Sequence, residues 1–335
     1  MKTTKDPFPT IYDVAQASGL SIATISRALN TPEKVSSATR ERVMRVIEEV
    51  GFVPKADARA RALQSTGRIG VVTPFFTAPS FVARLRGIAD ALSPTNYEMV
   101  VYPVDSSERI NHYIQTLPLT RSLDGLIIVS MAITDEDAKR LRDYQVETVL
   151  IEFPHPSLNT IEIDDFDGGL MAGQYLIGKG HQRIAFMGVA DLPEYAIHPE
   201  NRRLLGFRKA ISRAGLPLPE AYVCNVPYRI ELNESAYQLL DLPERPTAVF
   251  AATDLQAMGL LKIAREKGLR VPEDLAIVGF DDIDFADYVG LTTVRQHMYR
   301  SGKLAVELLL SHLKQPDIDV QHIKLQLELV ERNTA

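Results

Sequence analysis

From Arg68 onward the chain alternates between two hydrophobic patterns. Short runs are apolar almost without interruption: RIGVVTPF, EMVVYPV, DGLIIVS, TVLIEF, RIAFMGV, AVFAATD and LAIVGFDD. Between them lie stretches whose apolar residues return every three or four positions, such as FVARLRGIADAL, DGGLMAGQYLI, NRRLLGFRKAISRAG and DLQAMGLLKIAREKG. The runs read as strands buried on both faces and the stretches as amphipathic helices, which predicts parallel sheets with helices packed on each side. The alternation continues over about 260 residues, more than one sheet usually holds, so two similar α/β lobes are expected. A cleft between lobes is a preferred place for a small molecule.

Ahead of Arg68 the pattern fits three short helices. Thr10 precedes Ile11, and Asp13 follows three residues on, a variant of the capping box; the helix runs to a break at Ser18-Gly19. Ser21 can cap a second helix, with Thr24 in reach and Ile25, Ala28 and Leu29 facing inward. After the turn NTPEKV, Ser36 or Ser37 can cap a third helix, amphipathic through Val43, Val46, Ile47 and Val50 and ended by Gly51. Two helices about a tight glycine-containing turn, followed by a packing helix, form a helix-turn-helix. Its second helix would open on Ile22-Ala23, where a soluble helix usually shows water something polar. In that motif the start of the second helix meets base edges in the DNA major groove, where small apolar side chains contact thymine methyl groups. The alternative is a small helical bundle with an incidental apolar surface pair.

Composition narrows the setting. At 335 residues and 45% hydrophobic, the chain can bury large cores in two or three domains. Its one cysteine, Cys224, excludes a disulfide framework and fits a reducing compartment. MKTTKDPFPT holds no apolar run of signal-peptide length and no later run reaches membrane-spanning length, so a soluble cytoplasmic protein is expected. The net charge of −6 hides an asymmetry: residues 1–68 carry 11 Lys+Arg against 7 Asp+Glu, and the remainder 26 against 36. A basic head on an acidic body suits a polyanion-binding module joined to a separate body, although a solvated face can carry the same excess.

TIYDVAQASGLSIATISRALN, followed by KVSSATRERVMRVIEEVGFVP, resembles the N-terminus of the LacI/GalR family of bacterial transcriptional regulators. The Tyr-Asp-Val-Ala, Ser-x-x-Thr-x-Ser-Arg-x-x-Asn and Val-Ser-x-x-Thr-Arg elements occur in order and spacing, and the likeness continues through nearly the whole chain. The resemblance implies a helix-turn-helix DNA-binding domain over residues 1–54, a hinge helix or linker over 55–66, and an effector-binding and dimerisation core over 67–335. That core would have the periplasmic-binding-protein-like type I fold, two doubly wound parallel-sheet subdomains at about 67–166 with 296–325 and about 167–295 with 326–335. By the same resemblance Ile22, Ala23 and Arg27 read bases, while Thr10, Tyr12, Ser21, Thr24, Ser26, Asn30 and Lys34 hold the phosphate backbone or orient the helix.

The segment KADARARALQST lacks a broad apolar face, and so short a helix is marginal alone in water. The resemblance implies a hinge that folds on operator DNA, with a leucine wedged into the minor groove. This sequence departs from the pattern: the wedge position falls on Arg61, and Lys55 replaces the usual asparagine. Leu63 is then the large apolar candidate for the wedge, with Arg59 and Arg61 adding minor-groove or phosphate contacts. A solvated linker is the alternative.

In the body, the unusual residues fall at the carboxyl ends of predicted strands, where ligands of such folds bind. Phe75, Phe76, Ser80 and Phe81 follow the first strand; later strands end near Asp164-Asp165, Thr253-Asp254 and Asp281-Asp282, and Arg203 opens a helix. Carboxylates, a guanidinium fork and aromatic faces suit a polyhydroxylated ligand. Each has a plainer reading: the phenylalanines as core, Asp254 as a helix cap, and Asp281-Asp282 as a turn. By resemblance Ser80-Phe81, Asp164, Arg203 and Asp281 match effector-contact positions, and with Phe75 and Thr253 they form the candidate set; Tyr228 aligns less cleanly.

Asp281 and Asp282 are adjacent on an extended segment and face opposite ways, which argues against a catalytic carboxylate pair. The seven histidines show no metal-ligand spacing with Cys224, and neither a G-x-S-x-G elbow nor a Walker sequence is present, so no enzyme, metal or cofactor is expected. The expected protein is a DNA-binding regulator of the repressor kind, a homodimer on a palindromic operator whose effector is a sugar or sugar derivative. A sugar-binding transport receptor and an α/β enzyme with a basic arm are the alternatives.

Overall fold

The computed structural model describes residues 9–30, 34–52, 65–227 and 234–335. They fall into two compact units, residues 1–68 with 121–124, and residues 69–120 with 125–335.

The first unit contains α1 (Ile11–Ser18), α2 (Ile22–Asn30) and α3 (Ser37–Val50). The Asp13 carboxylate accepts both the Thr10 amide and the Thr10 hydroxyl at 2.7 Å, which closes the start of α1. Gly19 then adopts the left-handed backbone (φ 65°) that lets the chain turn into α2. The Ser21 hydroxyl accepts the Thr24 amide at 3.2 Å, and Ser36 rather than Ser37 does the same for Thr39 at the start of α3. Val14, Ile25, Ala28, Val43, Val46 and Ile47 close a small core among the three helices. Within the same unit the Asp124 carboxylate accepts hydrogen bonds from the Ser65 hydroxyl and from the amides of Thr66 and Gly67, at 2.7–2.8 Å.

The second unit holds two six-stranded sheets. In chain order its elements are β1 (Arg68–Pro74), α4 (Pro79–Leu92), β2 (Glu98–Val104), α5 (Ser107–Thr120), β3 (Gly125–Val129), α6 (Asp135–Asp143), β4 (Glu147–Ile151) and β5 (Asn159–Glu162). There follow α7 (Asp165–Gly178), β6 (Ile184–Ala190), α8 (Pro199–Arg213), β7 (Val223–Pro227), α9 (Glu234–Leu240), β8 (Ala248–Ala251), α10 (Asp254–Glu266) and β9 (Ala276–Asp281). The chain ends through α11 (Asp284–Tyr288), β10 (Thr292–Arg295), α12 (Met298–Lys314), β11 (His322–Lys324) and β12 (Glu328–Val330).

The sheets run β11-β5-β4-β3-β1-β2 and β12-β10-β9-β8-β6-β7. Pairings from β1 through β3, β4 and β5 to β11 are parallel, as are those from β7 through β6, β8 and β9 to β10. The edge strand β12 runs antiparallel to β10 and departs from the all-parallel expectation. The chain passes from one sheet to the other after β5, returns after β10, and crosses a third time between β11 and β12. Each lobe has its own apolar core, one around Val71, Ile127 and Val149 and the other around Phe186, Phe207 and Phe250.

Candidate functional site

A cleft between the two lobes spans about 540 Å³, including the space open to solvent at its mouth, and strand ends build much of its wall. Phe75, Ser130 and Glu152 each follow directly on a strand, and Asp281 is the last residue of β9. All four line the cleft. All four are non-glycine residues at positive φ: 44° for Phe75, 54° for Ser130, 72° for Glu152 and 120° for Asp281. That backbone costs of order 1–3 kcal/mol per residue and persists where the surroundings over-determine it. Here it turns side chains out of the strand direction at the carboxyl edge of each sheet.

Two helix crossings supply the cleft's arginines. In one lobe α7 and α8 approach until backbones touch: a Cβ on Gly169 would lie 1.9 Å from Arg203 O, and one on Gly206 would lie 1.9 Å from Phe166 O. In the other, α4 and α12 meet the same way, with a Gly302 Cβ 2.2 Å from Arg84 O and a Gly87 Cβ 2.0 Å from Tyr299 O. Reciprocal glycines thus seat Arg203 and Arg84, each 3% exposed, at matching crossings on opposite sides.

Each guanidinium pairs with a carboxylate. Arg203 donates from Nε to Asp165 at 2.8 Å and from Nη1 to Ala252 O at 2.7 Å, and Nη1 lies 3.9 Å from Asp281. Its plane sits over the Phe280 ring with 3.6 Å between Cζ and the centroid, a desolvated cation–π contact. Arg84 pairs with Glu152 and donates to Gln296 at 2.9 Å; Ser130 donates to the other Glu152 oxygen, and Gln296 donates to Asp281. The network therefore runs without a break from Ser130 to Asp281 and on to Arg203. Burial pushes the Asp281 carboxyl up to about 6, with Arg203 and Arg84 pulling the other way. Burial opposes the charge of Arg203, yet Asp165 and Asp281 together hold its pKa above the ordinary value.

The rim is closed by backbone. Ile197 N–H donates to Ser130 O at 3.2 Å, and Met131 forms an antiparallel bridge with Ala196. Two exposed ion pairs also join the lobes, Arg86 to Asp284 at 2.8 Å and Lys324 to Asp164.

Of the seven effector candidates, Phe75, Ser80, Phe81, Arg203, Thr253 and Asp281 line this one cleft. Phe81 does double duty: it belongs to the lobe core and stands 5.8 Å edge-to-face from Phe75. Asp164 is placed elsewhere. It accepts the Phe166 and Asp167 amides at the start of α7 and pairs with Lys324; against the cost of its burial, Lys324 holds the carboxyl below its usual range. Its neighbour Asp165 is the one that reaches Arg203. Asp254 is likewise not the helix cap expected of it. Thr253 caps α10, accepting the Gln256 amide, while Asp254 is fully buried and accepts from Ile283 N and Thr293 Oγ1. Burial and then Asp281 push the Asp254 carboxyl well above its usual range. Asp282 turns away to Arg295 and Arg332, so the adjacent carboxylates do face different partners.

Sequence reasoning missed Arg84, Ser130, Glu152, Glu200 and Gln296, all in the cleft wall. The rule of strand carboxyl ends, carried through, reaches Ser130 and Glu152, since both close apolar runs. Arg84 carries no such signal, because an arginine in an amphipathic helix reads as solvent-facing. Among the described residues no group of three or more His, Cys, Asp or Glu is arranged to hold a metal ion, and no helix is long and apolar enough to cross a membrane.

In the first unit, the start of α2 is open: Ser21, Ile22 and Ala23 are exposed, Ile22 to 39%. Tyr12 on α1 is 70% exposed, an unusual position for so large a ring. Arg27 and Lys34 are exposed, while Thr10, Thr24 and Ser26 are half-buried. Asn30 is the last residue of α2. Arg59 and Leu63, with Lys55, Arg61 and Tyr228, lie outside the described residues.

A helix-turn-helix unit joined in one chain to a two-lobed α/β body with a polar cleft is the plan of a DNA-binding transcriptional regulator with a small-molecule site. Comparison with known proteins gives the family. Residues 10–55 match the model for bacterial regulatory proteins of the lacI family, and residues 174–335 that for a periplasmic binding protein-like domain. The chain is 33% identical to the ribose operon repressor of Escherichia coli strain K12, covering 97% of this chain and 99% of that one. It is 32% identical to catabolite control protein A of Priestia megaterium, covering 94% and 96%. Among solved structures it is similar to the lac repressor dimer bound to operator and the anti-inducer ONPF (TM-score 0.80, 26% identity, 98% of this chain and 99% of that one). It is also similar to a LacI family transcriptional regulator from Enterococcus faecium with bound ribose (TM-score 0.70, 27% identity, 80% and 98%). The chain belongs to the LacI family of bacterial transcriptional regulators.

Proposed function

We propose that this chain is a ligand-responsive repressor that binds a palindromic operator as a homodimer in the cytoplasm, and that a sugar in the inter-lobe cleft changes its hold on DNA. The observation that carries the reading is the gathering of Phe75, Ser80, Phe81, Arg203, Thr253 and Asp281 around one cleft, in a chain whose α2 opens on exposed Ile22 and Ala23. One such helix reads only a few base pairs, so two half-sites related by the protein's own two-fold axis are expected. The ribose of the E. faecium structure and the ribose operon of the E. coli relative support a sugar effector; the operator-bound dimer of the lac repressor supports the DNA-binding state.

In this reading Ile22, Ala23 and Arg27 meet base edges, and Thr10, Tyr12, Ser21, Thr24, Ser26, Asn30 and Lys34 fix the helix on the phosphate backbone. Arg59 and Leu63 complete the duplex contacts from the minor groove. Phosphate contacts of this kind make affinity fall steeply with salt. No catalytic step is assigned; of the carboxylates in the cleft wall, Glu152 pairs with Arg84 and Asp281 faces Arg203, with Asp165 behind it on the same guanidinium. The effector acts by its difference in affinity for two lobe arrangements, and the rim clasp from Ser130 to Ile197 is a contact those arrangements must exchange.

Arg203→Ala tests the assignment. The variant is expected to bind the operator duplex yet to show no change in affinity when a sugar that shifts the wild type is added, both measured by fluorescence anisotropy. A response equal to the wild type's removes Arg203 from the effector site.

A further inference from the structure

Two buried polar atoms of the cleft wall have no hydrogen-bond partner among the described residues: Arg84 Nε, a donor, and Glu200 Oε2, an acceptor. Both residues line the cleft, and both are more than nine-tenths buried, at 3% and 7% exposure. Buried polar atoms are almost always paired, so each exception asks for an explanation. Glu200 stands in the first turn of α8, one turn before Arg203; its other oxygen lies 3.3 Å from His198 Nδ1.

The charges of the wall say what kind of partner is missing. The lining residues include two arginines and three carboxylates, Glu152, Glu200 and Asp281, and Asp165 behind Arg203 adds a fourth. Among the described residues no lysine lines the cleft, and Arg84 and Arg203 each already hold a carboxylate. A phosphate or carboxylate entering this wall meets an excess of like charge, where low dielectric magnifies the repulsion and, among the described residues, no cation free of a carboxylate offsets it. An alcohol hydroxyl donates one hydrogen and accepts another. It therefore satisfies an orphan acceptor and an orphan donor while bringing no charge.

We propose that the cleft takes a neutral ring polyol, a free sugar and not its phosphate or a sugar acid, and that Glu200 and Arg84 set this specificity by accepting from and donating to its hydroxyls. The inference rests on the reading of the cleft as the effector site and names the ligand class of that site. The Phe75 and Phe81 rings offer the apolar surface that a sugar's C–H face covers.

The test is calorimetric titration of the full-length protein with paired probes: D-ribose, D-glucose and D-fructose, each beside its monophosphate. At least one free sugar is expected to bind, with its phosphate at least about tenfold weaker, a difference of about 1.4 kcal/mol. Glu200→Gln is expected to weaken the bound sugar by about fivefold or more while leaving the thermal midpoint of the unliganded protein unchanged or raised, since Glu200 Oε2 has no partner to lose. Glu200→Ala serves as the second variant. A phosphate that binds as tightly as its free sugar, with the binding lost in Arg203→Ala, overturns the inference and leaves the effector-site reading standing. Sugar binding that neither Glu200 variant alters removes Glu200 from the site. Silence from both arms of the panel contradicts the effector-site reading and the inference together.

Discussion

Asp281 is buried at the end of β9 in a left-handed backbone, accepts from Gln296 and faces Arg203. Burial raises its carboxyl to about 6, against roughly 3.9 in an unfolded chain. Between those values the folded protein keeps a proton that the unfolded chain has released, so this group's contribution to stability declines as pH rises from about 4 to 6 and is level above. Ligand hydroxyls that donate to Asp281 favour the ionised form, which reverses the sign for binding. Affinity for the free sugar is therefore expected to hold from pH 7.5 to about 6.5 and then to fall below 6, by up to about tenfold per pH unit for one proton. Calorimetric dissociation constants across pH 7.5 to 5 check this, and a flat profile contradicts it. Asp281 was legible in the sequence because it closes a predicted strand, and Arg203 because it matches an effector-contact position of the family. Asp164 and Asp165 were not separable there: both fit the same position, and only the turn into α7 decides that Asp164 caps the helix while Asp165 meets the guanidinium.

The α7–α8 and α4–α12 crossings show the same solution reached twice, glycines that let backbones touch and an arginine carried at the contact. A methyl group at Gly206 would fall 1.9 Å from Phe166 O, so α8 must move away to admit it. Gly206→Ala is expected to destabilise the body by about 1–3 kcal/mol, the usual cost of overpacking, and to weaken sugar binding because Arg203 rides on α8. Urea denaturation and titration of the same variant check both, and wild-type values for the two refute the claim that the crossing positions the arginine. The sequence shows these glycines in helical stretches, yet nothing in one helix's pattern says which other helix approaches it. Long apolar strands such as β1, β6 and β9 were readable for the opposite reason: burial on both faces is written in consecutive residues. The strands missed are short or polar, NTIE, VCNVP, TTVR, HIK and ELV, and pair only because a neighbouring edge is present. The antiparallel turn of β12 against β10 follows from the third passage between lobes, a tertiary event without local signature.

At the scale of the whole molecule, three chain passages join lobes that also meet through a backbone clasp at Ser130–Ile197 and the exposed Arg86–Asp284 pair. Exposed ion pairs contribute little, about 0–1 kcal/mol, so the buried network from Ser130 through Glu152, Arg84, Gln296 and Asp281 is the part of the interface in which a ligand's differential affinity can be stored. The basic helical unit and the acidic body were separable from charge and periodicity alone, and the comparisons extend that division to a family. The most direct test of regulation by the cleft is one anisotropy titration: a palindromic duplex, selected from a random pool by the full-length protein, with and without saturating amounts of a free sugar that binds the body. Regulation by the cleft predicts two protomers on each duplex and a dissociation constant that differs at least about fivefold between the two conditions. A single protomer per duplex, or the same constant with and without the sugar, contradicts it.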